Sequence, residues 1–160
     1  VSYPNFPADL VERDILAAKQ WLWQVGFGMG HDGKHGLANF AYPKGEFKQF
    51  GKTDVLDIVR RNFSSGRSIN ERWRESIVPA DPYKLRVIYI TAPESVETVA
   101  QSIRNGVAAG EWVILVLHNL VAKPDMNDQW EIEKFNALID FMGGELPMVP
   151  VRTVGDVLGN

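Results

Sequence analysis

The 160-residue chain contains no cysteine, which excludes a disulfide framework and a thiolate zinc site and leaves the cellular compartment open. It has no block of five or more basic residues, and its formal net charge is -3. A partner held mainly through phosphates, nucleic acid above all, is therefore disfavoured. Long hydrophobic runs are absent as well: the longest, Trp112 to Leu117, has six residues, against roughly 20 for a helix that spans a bilayer. No membrane span is expected, and nothing at the start resembles a signal sequence. What remains is ordinary for a folded protein, 45% hydrophobic and 23% charged residues, so the reading is one globular domain over residues 1–160 with a real core.

The chain is organised around Gly110-Glu111-Trp112-Val113-Ile114-Leu115-Val116-Leu117-His118. Continuous apolarity predicts a strand covered on both faces, as in a parallel sheet flanked by helices. It ends on an imidazole, and the carboxyl ends of such strands line the site in barrels and open α/β sheets. His118 is thus either a site residue or a histidine that merely caps a core strand.

Around this strand the other elements fall in order. Pro7-Ala8-Asp9-Leu10 opens a helix with Leu10, Ile15, Leu16 and Leu22 at helical spacing, ending near Gly26. A glycine-rich loop, Gly26 to Gly36, follows; its Gly28-Met29-Gly30-His31-Asp32-Gly33 matches a dinucleotide-binding pattern. That pattern works only between a strand and a helix, and here it follows a helix and precedes a strand. Leu37 to Tyr42 reads as a strand broken by Pro43-Lys44-Gly45, and Thr53 to Asn62 as a helix with Thr53 as N-cap. A polar strand spans Phe63 to Ile69, and Asn70 to Leu85 is a long excursion of the kind that tends to be functional. Arg86 to Ile90 is a strand and Ser95 to Ala109 a helix with Val96, Val99, Ile103 and Val107 on one face. After His118 come a polar loop, a helix from about Trp130 to Met142, a short strand from Met148 to Val151 and a last helical turn from Thr153. The alternation amounts to about five parallel βα units, fewer than the roughly 200 to 250 residues of a closed eight-stranded barrel supply.

Three stretches in this order, Asn39-Phe40-Ala41-Tyr42-Pro43-Lys44-Gly45, then Arg67-Ser68-Ile69-Asn70 with Asp81-Pro82-Tyr83-Lys84-Leu85-Arg86, then Trp112 to His118, resemble the polysaccharide deacetylases of carbohydrate esterase family four. Thr153-Val154-Gly155-Asp156-Val157-Leu158 resembles that family's usual ending, so the likeness covers nearly the whole chain. The resemblance implies an α/β fold, a partial or distorted (β/α) barrel lacking the first βα units. It also implies a divalent metal (zinc, or nickel or cobalt) held by one Asp and two His, a metal-activated water and a carboxylate base. His118 would be the general acid that protonates the leaving group, and the substrate an acetylated poly- or oligosaccharide. Placement outside the cytoplasm, extracellular, periplasmic or at the cell envelope, is implied on the same ground.

The departures concern the metal. The family's Thr-Phe-Asp-Asp-Gly motif has no equivalent here, and Val1-Ser2-Tyr3-Pro4-Asn5 looks like the tail of its His-Ser/Thr-x-x-His motif, with Tyr3 in the place of the second His. Phenol is a poor divalent-metal ligand beside imidazole. In the third motif Ala41-Tyr42-Pro43 stands where Arg-x-Pro is usual. Within five residues, His31, Asp32 and His35 offer a second ligand set, although the glycines around them describe a solvated loop.

Tyr42, Pro43 and Lys44 beside a strand end are candidates for a sugar subsite, the alternative being a simple turn. Arg67 is a further substrate-binding candidate, one able to replace the lost Arg electrostatically. In the long excursion, Trp73 is the better saccharide-stacking residue, whereas Trp112 reads as packing at the opposite end of its strand. Asp81 reads as a loop cap. Trp21 and Trp23, two apart on a helix, point to different faces, and one of them marks a contact with a second copy of the chain or a further segment. Two functions follow: a deacetylase, or its C-terminal portion, with the metal completed by residues outside the chain; or a non-catalytic saccharide-binding or interaction module on a degenerate barrel.

Overall fold

A computed structural model describes residues 2–28, 37–48 and 53–159, without the side chains of residues 70–72. Helix α1 (Ala8–Leu22) starts after Pro7, whose fixed φ suits a helix entrance, and runs into a wider turn that stops where Gly26 takes φ 99°. Strand β1 (Asn39–Ala41) ends in a tight turn over Pro43–Gly45, with Lys44 at φ 56° and Gly45 at φ 70°. Next come α2 (Val55–Asn62), β2 (Ser65–Arg72), β3 (Glu75–Ser76) and β4 (Leu85–Tyr89). Ser95 Oγ caps α3 (Val96–Ala109) by accepting from Thr98 N, and Gly110 at φ 64° closes it. Four short strands follow, β5 (Glu111–Trp112), β6 (Leu115–Val116), β7 (Asn119–Val121) and β8 (Gln129–Glu131), then α4 (Ile132–Glu145). The last helix, α5 (Val154–Leu158), opens on a reciprocal Thr153–Asp156 capping box.

These elements pack as two compact units, one of Val1–Glu71, Val78–Leu85 and Thr153–Asn160, the other of Arg72–Ile77 and Arg86–Arg152. In the first, β1 and β2 run parallel with Asn39 opposite Ser65, Phe40 opposite Gly66 and Ala41 opposite Arg67. Because side chains alternate along a strand, Phe40 and Tyr42 share a face with Gly66 and Ser68. That face meets the core of Val11, Ile15, Val55, Leu56, Ile58 and Val59. Gly66 is required there, since a Cβ would sit 2.7 Å from the Tyr42 hydroxyl oxygen. The opposite face carries Asn39, Ala41, Ser65 and Arg67.

In the second unit β4 and β6 are parallel, β3 and β5 antiparallel, and β7 and β8 parallel. Its core gathers Ile90, Val99, Ala100, Ile103, Trp130 and Leu138, with Val113, Leu115 and Leu117 packed against it. Trp130 is 1% exposed, and its Nε1 donates to Glu94 O at 2.9 Å. Helices and parallel pairs together make the chain mixed α/β. No helix among the described residues is long and apolar enough to cross a membrane.

Several expected elements take another form. The run Glu111 to Leu117 is not one strand: its first two residues pair with β3 and Leu115–Val116 pair with β4, so the backbone changes partner in between. Asp54, not Thr53, caps α2, accepting from Leu56 N, while the Thr53 hydroxyl donates to Phe6 O. Met148 and Val151 are 91% and 80% exposed and form no strand. Val107, expected on the inner face of α3, is exposed at 42%.

Candidate functional site

The carboxyl end of β6 is where titratable groups converge. Backbone bonds from Ile88 N to Ile114 O (2.8 Å) and Ile90 N to Val116 O (3.0 Å) carry β6 alongside β4, and the buried side chains of Ile114 and Val116 anchor it. Two residues later the chain emerges, and the His118 side chain is 61% exposed. The chain then turns directly into β7, which pairs with β8. This pairing sets Asn119 opposite Gln129 and so brings Asp128, the residue just before β8, level with His118, with Asn119 N donating to Asp128 O at 3.4 Å. The connecting loop is fixed from inside: Gln129, 8% exposed, accepts from Asp125 N and Met126 N through its Oε1. A further backbone bond, Ala92 N to Asn127 O at 3.0 Å, ties it to the segment after β4.

His118 Nδ1 lies 3.4 Å from Asp128 Oδ2 and 2.9 Å from Asn119 Nδ2. The two neighbours suit different states of the ring. A protonated ring donates from Nδ1 to the Asp128 carboxylate; a neutral ring bearing its proton on Nε2 accepts from the Asn119 amide. Nε2 has no partner among the described residues, so the edge facing solvent is free to give or take a proton. An imidazole with one nitrogen steadied by a carboxylate and the other open is the arrangement used in general acid–base chemistry.

The other expected site residues are distributed between the two units. Tyr42 is 2% exposed and donates its hydroxyl to Tyr83 O at 3.0 Å, so it is a core residue and not the lining of an open sugar subsite. Burial, first, and then the charge of Asp81 push its pKa far up, which keeps the phenol protonated. Pro43 is partly buried in the turn after β1, and Lys44 is exposed there at a positive φ uncommon for a residue with a Cβ. Arg67 lies in β2 beside Ala41. Asp81 is a loop cap as expected, accepting from Tyr83 N, and it also pairs with Arg60 at 2.9 Å.

Trp73 belongs to the second unit and is 54% exposed beside Arg74, whose Cζ is 5.0 Å from the ring centroid. Its N donates to Val87 O, and Ile88 N donates to Ile114 O, so Trp73 stands level with the start of β6. His118 is about four residues further along, roughly 13 Å at strand rise. The tryptophan and the histidine therefore mark different ends of the sheet.

For a metal, the described residues offer no fit. Tyr3 OH donates to Asp14 Oδ2 at 2.7 Å, and burial together with that hydrogen bond and charge raises its pKa to about 12. It is thus a protonated phenol engaged with a carboxylate, and not in the state a ligand must reach. No group of three His, Asp or Glu among the described residues could hold a metal ion. His31, Asp32 and His35 lie outside the described residues.

Sequence reasoning did not reach Asp128 or Asn119. Their one local signal is the turn-forming Asn127-Asp128 pair just ahead of the buried Gln129-Trp130 step. In comparisons with protein-family models, curated proteins and solved structures, none matches this chain.

Proposed function

We propose that the chain is a carbohydrate deacetylase, or the C-terminal portion of one, built on a partial or distorted (β/α) barrel. It acts on acetylated poly- or oligosaccharide, with His118 as the general acid and a place outside the cytoplasm. The observation that carries the reading is the His118–Asp128 pair at the carboxyl end of β6, Nδ1 on the carboxylate and Nε2 open. As water adds to the acetyl carbonyl and the bond from carbonyl carbon to sugar oxygen or nitrogen breaks, the departing atom takes the proton from Nε2. Asp128 stabilises the imidazolium before transfer, and the neutral ring left after it keeps its proton on Nδ1 and still donates to Asp128. The divalent metal that the resemblance implies finds no ligand set among the described residues, and no step is assigned to it.

The test is acetate release from acetylated chitooligosaccharide and acetylated xylan, with zinc, nickel or cobalt supplied and metal content measured. Release that falls by about 10²- to 10⁴-fold in His118→Ala, the usual worth of a general acid, supports the proposal. No acetate from either substrate, or an unaffected His118→Ala, overturns it. Saccharide binding without acetate release would favour the alternative, a non-catalytic saccharide-binding module.

A further inference from the structure

The arginines of the first unit differ in what replaces their water. Arg60 meets Asp81 at 2.9 Å and Asp57 at 3.7 Å, and Arg61 meets Glu12 at 3.0 Å. Arg13 has no carboxylate, but it is exposed on α1 and needs none. Arg67 is the exception. It is partly buried within β2, and its guanidinium makes no hydrogen bond or ion pair among the described residues. Burial lowers its pKa, with no neighbouring charge acting on it. Withdrawing a charge from water without a partner is costly, which is why Arg is almost never buried unpaired.

None of the residues that the β1–β2 register sets beside Arg67 carries a carboxylate. Arg67 shares its face with Ala41, directly opposite, and with Asn39 and Ser65 one pair further back. Ser65 Oγ donates to Asn39 Oδ1 at 2.7 Å, which identifies the amide oxygen and leaves the Asn39 NH₂ a donor without a partner among the described residues. Ala41, its register partner, puts only a methyl group on this face. Five N–H groups in a planar fork, with an amide donor on the same face of the strand pair, match an oxyanion.

We propose that Arg67 and Asn39 form an oxyanion subsite on β1–β2 that holds a carboxylate or phosphate group of a bound ligand. Applied to the proposed substrate, this makes the saccharide an acidic one, but the inference stands on the first unit alone and does not need acetate release to be true. Calorimetric titration of the whole chain with glucuronate, inorganic phosphate and glucose tests it. Glucuronate or phosphate should bind and glucose should not, and whichever anion binds identifies the source of the charge. Arg67→Gln should weaken that binding at least tenfold, Arg67→Lys less, because a point charge lacks the fork, and Arg13→Gln not at all. Should Arg67→Gln fail to fold, Arg67→Lys decides. Absence of binding by both anions, or affinity unchanged in the Arg67 variant that folds, overturns the proposal. Anion binding by the unaltered chain, lost in the Arg67 variant, together with no acetate release from either substrate sinks only the deacetylase reading.

Discussion

Glu75 offers the sharpest test of the electrostatics in the unit that carries His118. Its side chain is 6% exposed and accepts from Arg86 N at 2.9 Å, Arg86 Nη2 at 3.0 Å, Arg86 Nε at 3.3 Å and Ser76 N at 2.8 Å. Burial on its own would raise the carboxyl pKa; the hydrogen bonds from Arg86 and Ser76 outweigh it, and the net shift is downward. In Glu75→Gln the volume is kept and the charge removed, while the new NH₂ faces donors where an acceptor stood. Breaking a buried pair costs about 3–5 kcal/mol. Arg86 is 37% exposed and regains water, so a loss of about 2–3 kcal/mol is expected, at the upper end for hydrogen bonds to a charged group. At roughly 2–4 °C per kcal/mol for a chain of this size, the melting temperature should drop by about 5–10 °C. The sign of the pH dependence follows from the lowered pKa. The contribution is complete above the unfolded carboxyl value of 4.5 and disappears as pH falls through the lower folded value. Urea denaturation of both proteins at pH 7, 5 and 3 should show an equal gap at the first two and a smaller one at the third. A gap below about 0.5 kcal/mol at pH 7, within the range of ordinary surface substitutions, or a gap that does not close in acid, would refute the argument.

Glycine replacements should divide by sign. Gly143→Ala and Gly144→Ala in α4 meet nothing within 4 Å and should each stabilise by about 0.5–1 kcal/mol. Gly106→Ala in α3 puts a Cβ 2.4 Å from Val113 Cγ2 and should destabilise by about 1–3 kcal/mol, both read by thermal melts. Tyr3, its pKa raised to about 12 from an ordinary 10.0, stabilises fully below pH 10 and loses that contribution between pH 10 and 12. The stability difference between wild type and Tyr3→Phe should therefore shrink over that window, and a constant difference up to pH 11.5 would count against the Tyr3–Asp14 bond. Asp128→Asn should keep KM and lower kcat by roughly tenfold, a positioning effect weaker than in a buried triad because the pair is exposed. Equal changes in both constants would point to a binding role.

Local chemistry explains what the sequence made legible. Helix α3 announced itself through Ser95 and the Val99–Ile103 stripe, because caps and i, i+4 contacts lie within a few residues. What stayed hidden depends on distant partners. Thr53 and Asp54 are both able caps, and Asp54 takes the position while the Thr53 hydroxyl is engaged 47 residues away in sequence, on Phe6 O. Apolar character from Trp112 to Leu117 is continuous, yet nothing in those side chains records that the backbone changes partner from β3 to β4 after Trp112. Met148 to Val151 has strand composition and no strand to join. Tyr42 read as a strand-end surface residue, and only the register against β2 turns its ring onto Gly66 and into the core. The same non-locality governs the site. His118 was legible because a strand end is a local feature, whereas Asp128, ten positions on, reaches it only through the three-residue ladder of β7 and β8. That ladder should therefore control the histidine. A proline at Val121, whose N–H lies on the same side of β7 as the Asn119 N–H that bonds to Asp128 O, removes a backbone donor to β8; loss of that pairing should release Asp128 from His118 even though neither residue is touched.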